Sequence, residues 1–126
     1  MRWRIGARSE PPPSGRFERA AARFNDSDGG RTVAGLVRTL GSPSVSVGAL
    51  AGGSDRVRVT VAWELCWYQW GVDLSEEQGA VFEIASGSSP AQLDAAAQQW
   101  NATLVDGGRI VIRAPARRRR PALVRR

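Results

Sequence analysis

The sequence predicts an α+β protein of two layers, in which an antiparallel sheet of three to five strands carries two or three helices on one face. Alternating valines predict half-buried strands, and apolar residues spaced three and four apart predict short helices. Turns rich in Gly, Asp and Ser separate these segments along the chain. At 126 residues, the chain is long enough for one domain to bury a core without disulfides.

Two helices are predicted before the first strand. Residues 14–24 begin with Ser14 as the candidate N-cap. The apolar residues of this helix fall on one face, and they are Phe17, Ala20, Ala21 and Phe24. Residues 31–40 are also apolar on one face and are followed by Gly41, a residue type that favours helix ends.

The segment between these helices, NDSDGG at residues 25–30, is similar in composition to a calcium-binding loop. When Gly30 takes the sixth position of such a loop, Leu36 stands where the loop needs a bidentate Glu. The segment is therefore interpreted as a turn with a helix cap, and not as a metal site.

The longest β-prone stretch, residues 56–74, is predicted to be one long strand around which the sheet forms. Its first part places on one face Val57, Val59, Val61, Trp63, Leu65 and Trp67. Beyond Trp67 the apolar set changes parity, and it continues with Tyr68, Trp70, Val72 and Leu74. A β-bulge or sharp bend between Cys66 and Gln69 is therefore expected, with Trp63 and Trp67 both in the core.

Shorter strands flank this stretch. Residues 42–51 alternate and are followed by a turn at residues 52–55, which predicts a hairpin with the long strand. Residues 80–85 predict a third strand, so that the three strands form an antiparallel meander.

A third helix is predicted to begin after Ser89, because Ser-Pro-Ala-Gln fits a capping box with Pro at the first helical position. One face of this helix would carry Leu93, Ala96, Ala97 and Trp100. Residues 103–113 then predict a smaller hairpin or a returning strand, with Asp-Gly-Gly at residues 106–108 as the turn.

Charge is distributed unevenly along the chain. Residues 1–23 hold six Arg and two acidic residues, and residues 113–126 hold seven Arg and no acidic residue. Residues 24–112 hold five Arg and ten acidic residues, so this part carries −5 although the whole chain carries +6. Any binding to nucleic acid is therefore expected at the ends of the chain and not on the sheet.

Composition also predicts the domain organisation. We expect an extended basic, Pro-rich arm over residues 1–13, one α+β domain over residues 14–113, and a disordered Arg-rich tail over residues 114–126. The chain contains a single cysteine, Cys66, and no apolar run of signal-peptide or membrane-span length. These features are typical of a cytoplasmic protein without a membrane partner.

The basic residues exclude several kinds of catalysis. All 18 are Arg, and the sequence contains neither Lys nor His. Nucleophiles activated by His, His-containing metal sites, Schiff bases and Lys-bearing phosphate loops are thereby excluded. Cys66 lies among strand hydrophobes and is interpreted as a small buried apolar residue. We therefore expect a protein that is not an enzyme and binds neither a metal ion nor a cofactor.

The aromatic residues beyond the expected bend have two interpretations, since they either belong to the core or line a binding surface. Tyr68 and Trp70 break the parity of the core face, and Tyr and Trp are favoured where proteins bind partners. The first hypothesis is therefore a small protein-interaction module with an unknown protein partner, which Tyr68 and Trp70 contact.

A second hypothesis is a nucleic-acid-associated protein that binds through its Arg-rich ends. The residues proposed to bind a polyanion are Arg117, Arg118, Arg119, Arg120, Arg125 and Arg126. The alternative for this tail is an extension without a function, since an all-Arg basic set is also what a GC-rich genome produces.

A third hypothesis is an RNA-cleaving, toxin-like enzyme. Glu64 would be its general base, Arg56 or Arg58 its phosphate clamp, and Tyr68 its acid or stacking group. The acidic body argues against it because such a body repels RNA. Three carboxylates that could share a magnesium ion form no specific motif, and they are Glu64, Asp73 and Glu83.

Overall fold

The computed structural model describes residues 15–75 and 80–113, which form one antiparallel sheet of six strands and two α-helices. The helices are α1 (Arg16–Asn25) and α2 (Asp28–Leu40). The strands are β1 (Ser44–Ala49), β2 (Arg56–Trp63), β3 (Cys66–Asp73), β4 (Ala80–Gly87), β5 (Ala102–Val105) and β6 (Arg109–Ile112). Two 3₁₀ turns lie between β4 and β5, at Pro90–Gln92 and Ala96–Gln98.

The strands lie in the order β4-β3-β2-β1-β5-β6. The first four form a meander, and the β5–β6 hairpin joins the sheet where Ala102 pairs with Val45 of β1. The α+β class with an antiparallel sheet is confirmed, and two α-helices lie within the predicted number. The strand count is six and not three to five, because the long stretch is two strands and the small hairpin joins the same sheet.

Both helices begin and end for local reasons. Ser27 caps α2, since its Oγ accepts a hydrogen bond of 3.3 Å from the Gly30 N–H. This cap starts α2 three residues before the predicted helix and confirms the interpretation of residues 25–30 as a turn and cap. Helix α2 ends at Gly41, whose φ of +86° favours glycine. The N-cap of α1 is Gly15, and the predicted cap Ser14 lies outside the described residues.

The predicted long strand is in fact a hairpin. Strand β2 ends at Trp63, the chain turns at Glu64 and Leu65, and β3 begins at Cys66, which pairs with Trp63. The change of parity therefore marks a reversal of the chain, and the expected bulge between Cys66 and Gln69 is wrong. The turn contains none of the Gly or Asn residues typical of two-residue hairpins, so the local sequence does not predict a turn at this position. Leu65, predicted on the core face, lies at the tip of this hairpin and is 80% exposed.

The hairpin distributes the tryptophans over both faces of the sheet. Trp63 and Trp70 lie on the face covered by α1 and α2, in the main core. That core consists mainly of Phe24, Val33, Val45, Val47, Val57, Val59, Val61, Val72 and Ile110. Trp67 pairs with Ala62 on the opposite face, in a smaller cluster with Leu93 and Ala97. Both Trp63 and Trp67 are buried as predicted, but their assignment to one face is wrong.

The third predicted helix does not form. The capping box of Ser89 and Gln92 is present, yet it caps only a single 3₁₀ turn. Leu93 takes an extended conformation and packs in the cluster of Trp67, and Asp94 starts a second short turn by accepting a hydrogen bond from the Ala97 N–H. Contacts with the sheet therefore override the local helical signal.

Helix α1 contacts strands that lie far apart in the sheet. Phe24 packs on Trp70 of β3, while its neighbour Asn25 binds the outer edge of β6. Four strand spacings, or roughly 19 Å in a flat sheet, separate these two strands. Within the described residues neither helix is long and apolar enough to cross a membrane.

Candidate functional site

Tyr68 and Trp70 lie together on β3, in a row of aromatic rings. The Trp70 ring is stacked on Tyr68 at 5.9 Å between centroids and lies 4.9 Å from Phe24. Tyr68 also meets Trp63 edge to face at 6.2 Å. Trp70 is only 4% exposed, whereas Tyr68 is half-buried. Tyr68 is therefore partly accessible and Trp70 almost fully covered, and contact of both residues with a partner stays a prediction.

One outer edge of the sheet is closed by a side chain. The Asn25 Nδ2 donates to the Ile110 carbonyl at 3.0 Å, and its Oδ1 accepts from the Ile110 N–H at 2.8 Å. The amide thus satisfies the N–H and the carbonyl of Ile110, which a further strand would otherwise take. Asn25 acts as a one-residue continuation of the sheet and blocks strand pairing at Ile110.

The opposite edge, β4, is open. Within the described residues, no hydrogen bond reaches the side of β4 that faces away from β3. Phe82 and Ile84 are 38% and 39% exposed on this strand. Gln69 pairs with Ala85 and Trp70 with Glu83, so Ile84 is an extra residue that makes a β-bulge. Strand β4 therefore presents exposed apolar side chains together with backbone groups that no residue of 15–75 or 80–113 pairs.

A cavity of about 700 Å³ lies beside this open edge. Its walls come from the end of α1, the start of α2 and strands β3 and β4. The residues that line it include Arg23, Asp26, Asp28, Gly29, Arg31, Trp70, Val81 and Glu83. The cavity thus occupies the space between the first turn of α2 and the open strand.

The residues of the RNA-cleaving hypothesis are not brought together. Arg56 and Arg58 lie on the face of β2 opposite α1, where each is paired with an acidic residue. Tyr68 points to the helical face, and Glu64 is exposed in the turn between β2 and β3. The proposed base, clamp and acid therefore do not face a common point.

Two carboxylates paired with these arginines are acidified by their hydrogen bonds. Hydrogen bonds from Ser75, together with Arg56, hold the pKa of Asp73 below its ordinary value. The Ala97 N–H and then the Arg58 guanidinium hold the pKa of Asp94 below its ordinary value. Arg56 thus pairs with the neighbouring strand, and Arg58 pairs with the segment packed on the sheet.

The other predicted binding residues contribute little to a site. Among residues 15–75 and 80–113 no group of three His, Cys, Asp or Glu side chains is placed to hold a metal ion. Cys66 is half-buried and packs against the main core. The arm over residues 1–13 and the proposed polyanion-binding residues Arg117, Arg118, Arg119, Arg120, Arg125 and Arg126 lie outside the described residues.

Sequence reasoning missed both edges of the sheet. The position of residues 80–85 as the last strand of a predicted meander was the available signal for an open edge, because nothing further was expected beside it. No sequence signal identifies Asn25 as an edge cap, since Asn is equally typical of a turn.

No family model, curated protein or solved structure matches the chain.

Proposed function

We propose that this protein is an interaction module that binds an extended segment of a partner protein as an additional strand along β4. The observation that carries the proposal is the contrast between the two edges of one sheet. Asn25 occupies the backbone groups of Ile110 on β6, whereas the outward backbone groups of β4 have no partner among the described residues. Addition of a strand to such an edge is a recurrent mode of peptide recognition.

The surroundings of β4 provide contacts for the side chains of an added strand. Successive side chains of a strand point to opposite faces of the sheet. One set would reach the cavity between β4 and α2, near Val81 and Glu83. The other set would lie beside Phe82, whose ring covers Gly71 on the opposite face. Backbone pairing would then supply affinity, and the two faces would supply selectivity.

Tyr68 and Trp70 support this surface from the neighbouring strand. Trp70 pairs with Glu83 and lines the cavity, and Tyr68 pairs with Ser86. In this arrangement the two aromatic side chains form the floor behind β4, and the partner contacts them at their edges. Tyr68 and Trp70 thus remain part of the proposed binding surface, while β4 makes the main contact with the partner.

The occupant we propose is a different protein and not a second copy of this chain. A twofold pairing of β4 with itself centred on Glu83 would place two carboxylates opposite each other, which is unfavourable. The bulge at Ile84 also interrupts the regular ladder that an identical edge strand would need. An irregular edge with one charge favours a partner segment whose sequence fits that register.

Selection from a random peptide library tests the proposal. Peptides of about ten residues span one strand of ordinary length with a margin, and they are selected on the immobilised wild-type protein. Two variants are then compared, Ile84→Lys on β4 and Val111→Lys on β6. The exposed fractions of these side chains are 39% and 38%, so the pair is matched in burial and in the charge introduced.

Ile84→Lys is expected to weaken binding of the selected peptides about tenfold or more, since a loss above about 1.4 kcal/mol is typical of a central contact. Val111→Lys is expected to leave the affinity unchanged, because Asn25 closes that edge. Both variants should keep the free energy of unfolding within about 0.5 kcal/mol of wild type. Failure to select any peptide, or equal effects of the two variants, contradicts strand addition at β4. Dimerisation that Ile84→Lys abolishes would make a second copy the occupant.

A further inference from the structure

In the part of the chain that the structure describes, three tryptophans are buried, and one of them leaves its indole N–H without an acceptor. Trp63 donates to the Gly41 carbonyl at 2.8 Å, and Trp67 donates to Gln92 Oε1 at 3.0 Å. Trp70 is the most buried of the three at 4% exposure, yet its Nε1 meets no acceptor within the described residues. Buried indole N–H groups normally have a partner because leaving one unpaired is costly.

This N–H lies at the floor of the cavity beside β4. A Cβ atom added to Gly29 would lie 2.7 Å from Phe24 Cε1 and 3.1 Å from Trp70 Nε1, and Gly29 and Trp70 both line the cavity. Any larger residue at position 29 would therefore meet both the Phe24 ring and the indole nitrogen. Glycine at this position leaves the N–H accessible from the cavity, at the point where α2 begins.

The first turn of α2 supplies two more donors at the same place. Ser27 Oγ accepts from the Gly30 N–H, and the Ser27 carbonyl accepts from the Arg31 N–H. The N–H groups of Asp28 and Gly29 have no acceptor in the described part of the chain. Free N–H groups at a helix start, together with the helix dipole, favour an anionic oxygen.

The charges around the cavity favour an anion that carries a single charge. The Asp28 carboxylate is turned outward, where its side chain is 96% exposed and pairs with Arg31. Asp26 and Glu83 are exposed at the rim, so solvent and salt weaken their repulsion. Arg23 and Arg31 also line the cavity, so two cations stand against three carboxylates. The remaining negative charge opposes a doubly charged phosphate more than a singly charged group. The donors at the floor and the acids at the rim together favour a carboxylate.

We infer that the cavity is a carboxylate-binding site, in which the N–H groups of Trp70, Asp28 and Gly29 receive one carboxylate. This inference rests on the proposed function only for the carrier of that group, which is the segment added to β4. The carboxylate is then either the carboxyl terminus of the partner segment or an acidic side chain within it. In both cases the chemistry at the floor is the same.

Titration of the intact chain with sodium acetate, followed through the indole ¹H–¹⁵N signals, tests the site directly. The Trp70 signal is expected to move downfield and to saturate, as it does when an N–H gains a charged acceptor. The Trp63 and Trp67 signals should stay in place, because their N–H groups already have acceptors. Sodium phosphate should bind more weakly than acetate, and sodium chloride at equal ionic strength should give no saturable shift.

Two glycine variants on the same helix are compared. Gly29→Ala places a methyl group 3.1 Å from Trp70 Nε1 and 2.7 Å from Phe24 Cε1, so the Phe24 ring must shift. This variant is expected to weaken acetate binding about tenfold, the loss of one charge-assisted contact. Gly35→Ala lies on the same helix, where an added Cβ meets nothing within 4 Å, and it should bind acetate as wild type does. Unchanged Trp63 and Trp67 signals report that Gly29→Ala is folded. If Gly29→Ala does not fold, the wild-type titration alone decides.

The outcomes separate this inference from the proposed function. A Trp70 signal that does not move with acetate, or that moves together with Trp63 and Trp67, overturns the carboxylate site. A selected peptide that binds β4 while leaving Trp70 unchanged also overturns the site and retains strand addition. Two changes to the peptide show which carboxylate enters the site. One is amidation of its carboxyl terminus, and the other is replacement of its acidic side chains by the corresponding amides. A saturable acetate shift without any selected peptide supports the site and removes strand addition.

Discussion

Replacing Trp63 with alanine is expected to lower the free energy of unfolding by about 3–5 kcal/mol, the usual cost of truncating a buried aromatic side chain. Trp63 is 7% exposed, packs in the main core and meets Tyr68 edge to face. Its Nε1 also donates to the carbonyl of Gly41, the residue at which α2 ends. The substitution removes both the apolar contacts of the ring and the hydrogen bond to the end of α2. Denaturant unfolding measures the loss.

The control for this substitution is Leu65→Ala, two residues away in the turn. Leu65 is 80% exposed, so its truncation should change the free energy of unfolding by no more than about 0.5 kcal/mol. The effects of Trp63→Ala and Trp67→Ala should add, because the two side chains lie in separate clusters on opposite faces. A loss below about 1 kcal/mol for Trp63→Ala contradicts its placement in the core, and strong coupling of the two tryptophans contradicts the hairpin.

Replacing Asn101 with alanine is the second large effect we expect, a loss of at least about 2 kcal/mol. Asn101 Oδ1 accepts from the Val47 N–H at 2.8 Å, and its Nδ2 donates to the Val47 carbonyl at 2.9 Å. Val47 is 2% exposed, so the variant leaves two buried backbone groups unpaired. Each such group costs about 1–3 kcal/mol. Thermal or denaturant unfolding of the variant measures the effect.

A nearby amide provides the comparison for Asn101. Gln99 is exposed, and its Nε2 makes only a long contact of 3.4 Å with the Ala95 carbonyl. Gln99→Ala should therefore stay within about 0.5 kcal/mol of wild type. Equal losses for Gln99→Ala and Asn101→Ala would contradict the bridging role that the structure gives to Asn101.

The regular features of this fold were predictable from the sequence. Helical spacing located both helices, Gly41 marked the end of α2, and alternation located the valine strands. Asp-Gly-Gly at residues 106–108 marked the β5–β6 turn correctly. These signals are local, since each depends on the conformational preference of a few neighbouring residues or on the face that they bury.

The features that were missed depend on contacts between distant segments. Glu64 and Leu65 form a turn that no local preference favours, and it is defined by the pairing of β2 with β3. The helix predicted from Ser89 is lost because Leu93 and Asp94 are held by the sheet. The Tyr68 and Trp70 pair was recognised from its parity, but the open edge beside it follows only from the sheet order.

Two asparagines show why the sequence does not predict which strand residues are paired by a side chain. Asn25 and Asn101 each use one amide to satisfy the N–H and the carbonyl of a single strand residue, Ile110 and Val47. The partners lie 85 and 54 residues away in the chain. A side chain that completes a strand in this manner has the same sequence signature as any Asn in a turn. For the proposed function, the consequence is that Asn25 occupies Ile110 on one edge, whereas no side chain among the described residues occupies the outer side of β4.

Amide hydrogen exchange, measured residue by residue on the free protein and on its complex with a selected peptide, tests the central claim most directly. In the free protein the Ile110 amide should be protected by Asn25, while the outward-facing amides of β4 should exchange rapidly. Peptide binding should then protect those β4 amides and leave Ile110 unchanged. Protection of all β4 amides in the free protein, or a complex in which β4 exchanges as before, contradicts the assignment of β4 as the binding edge.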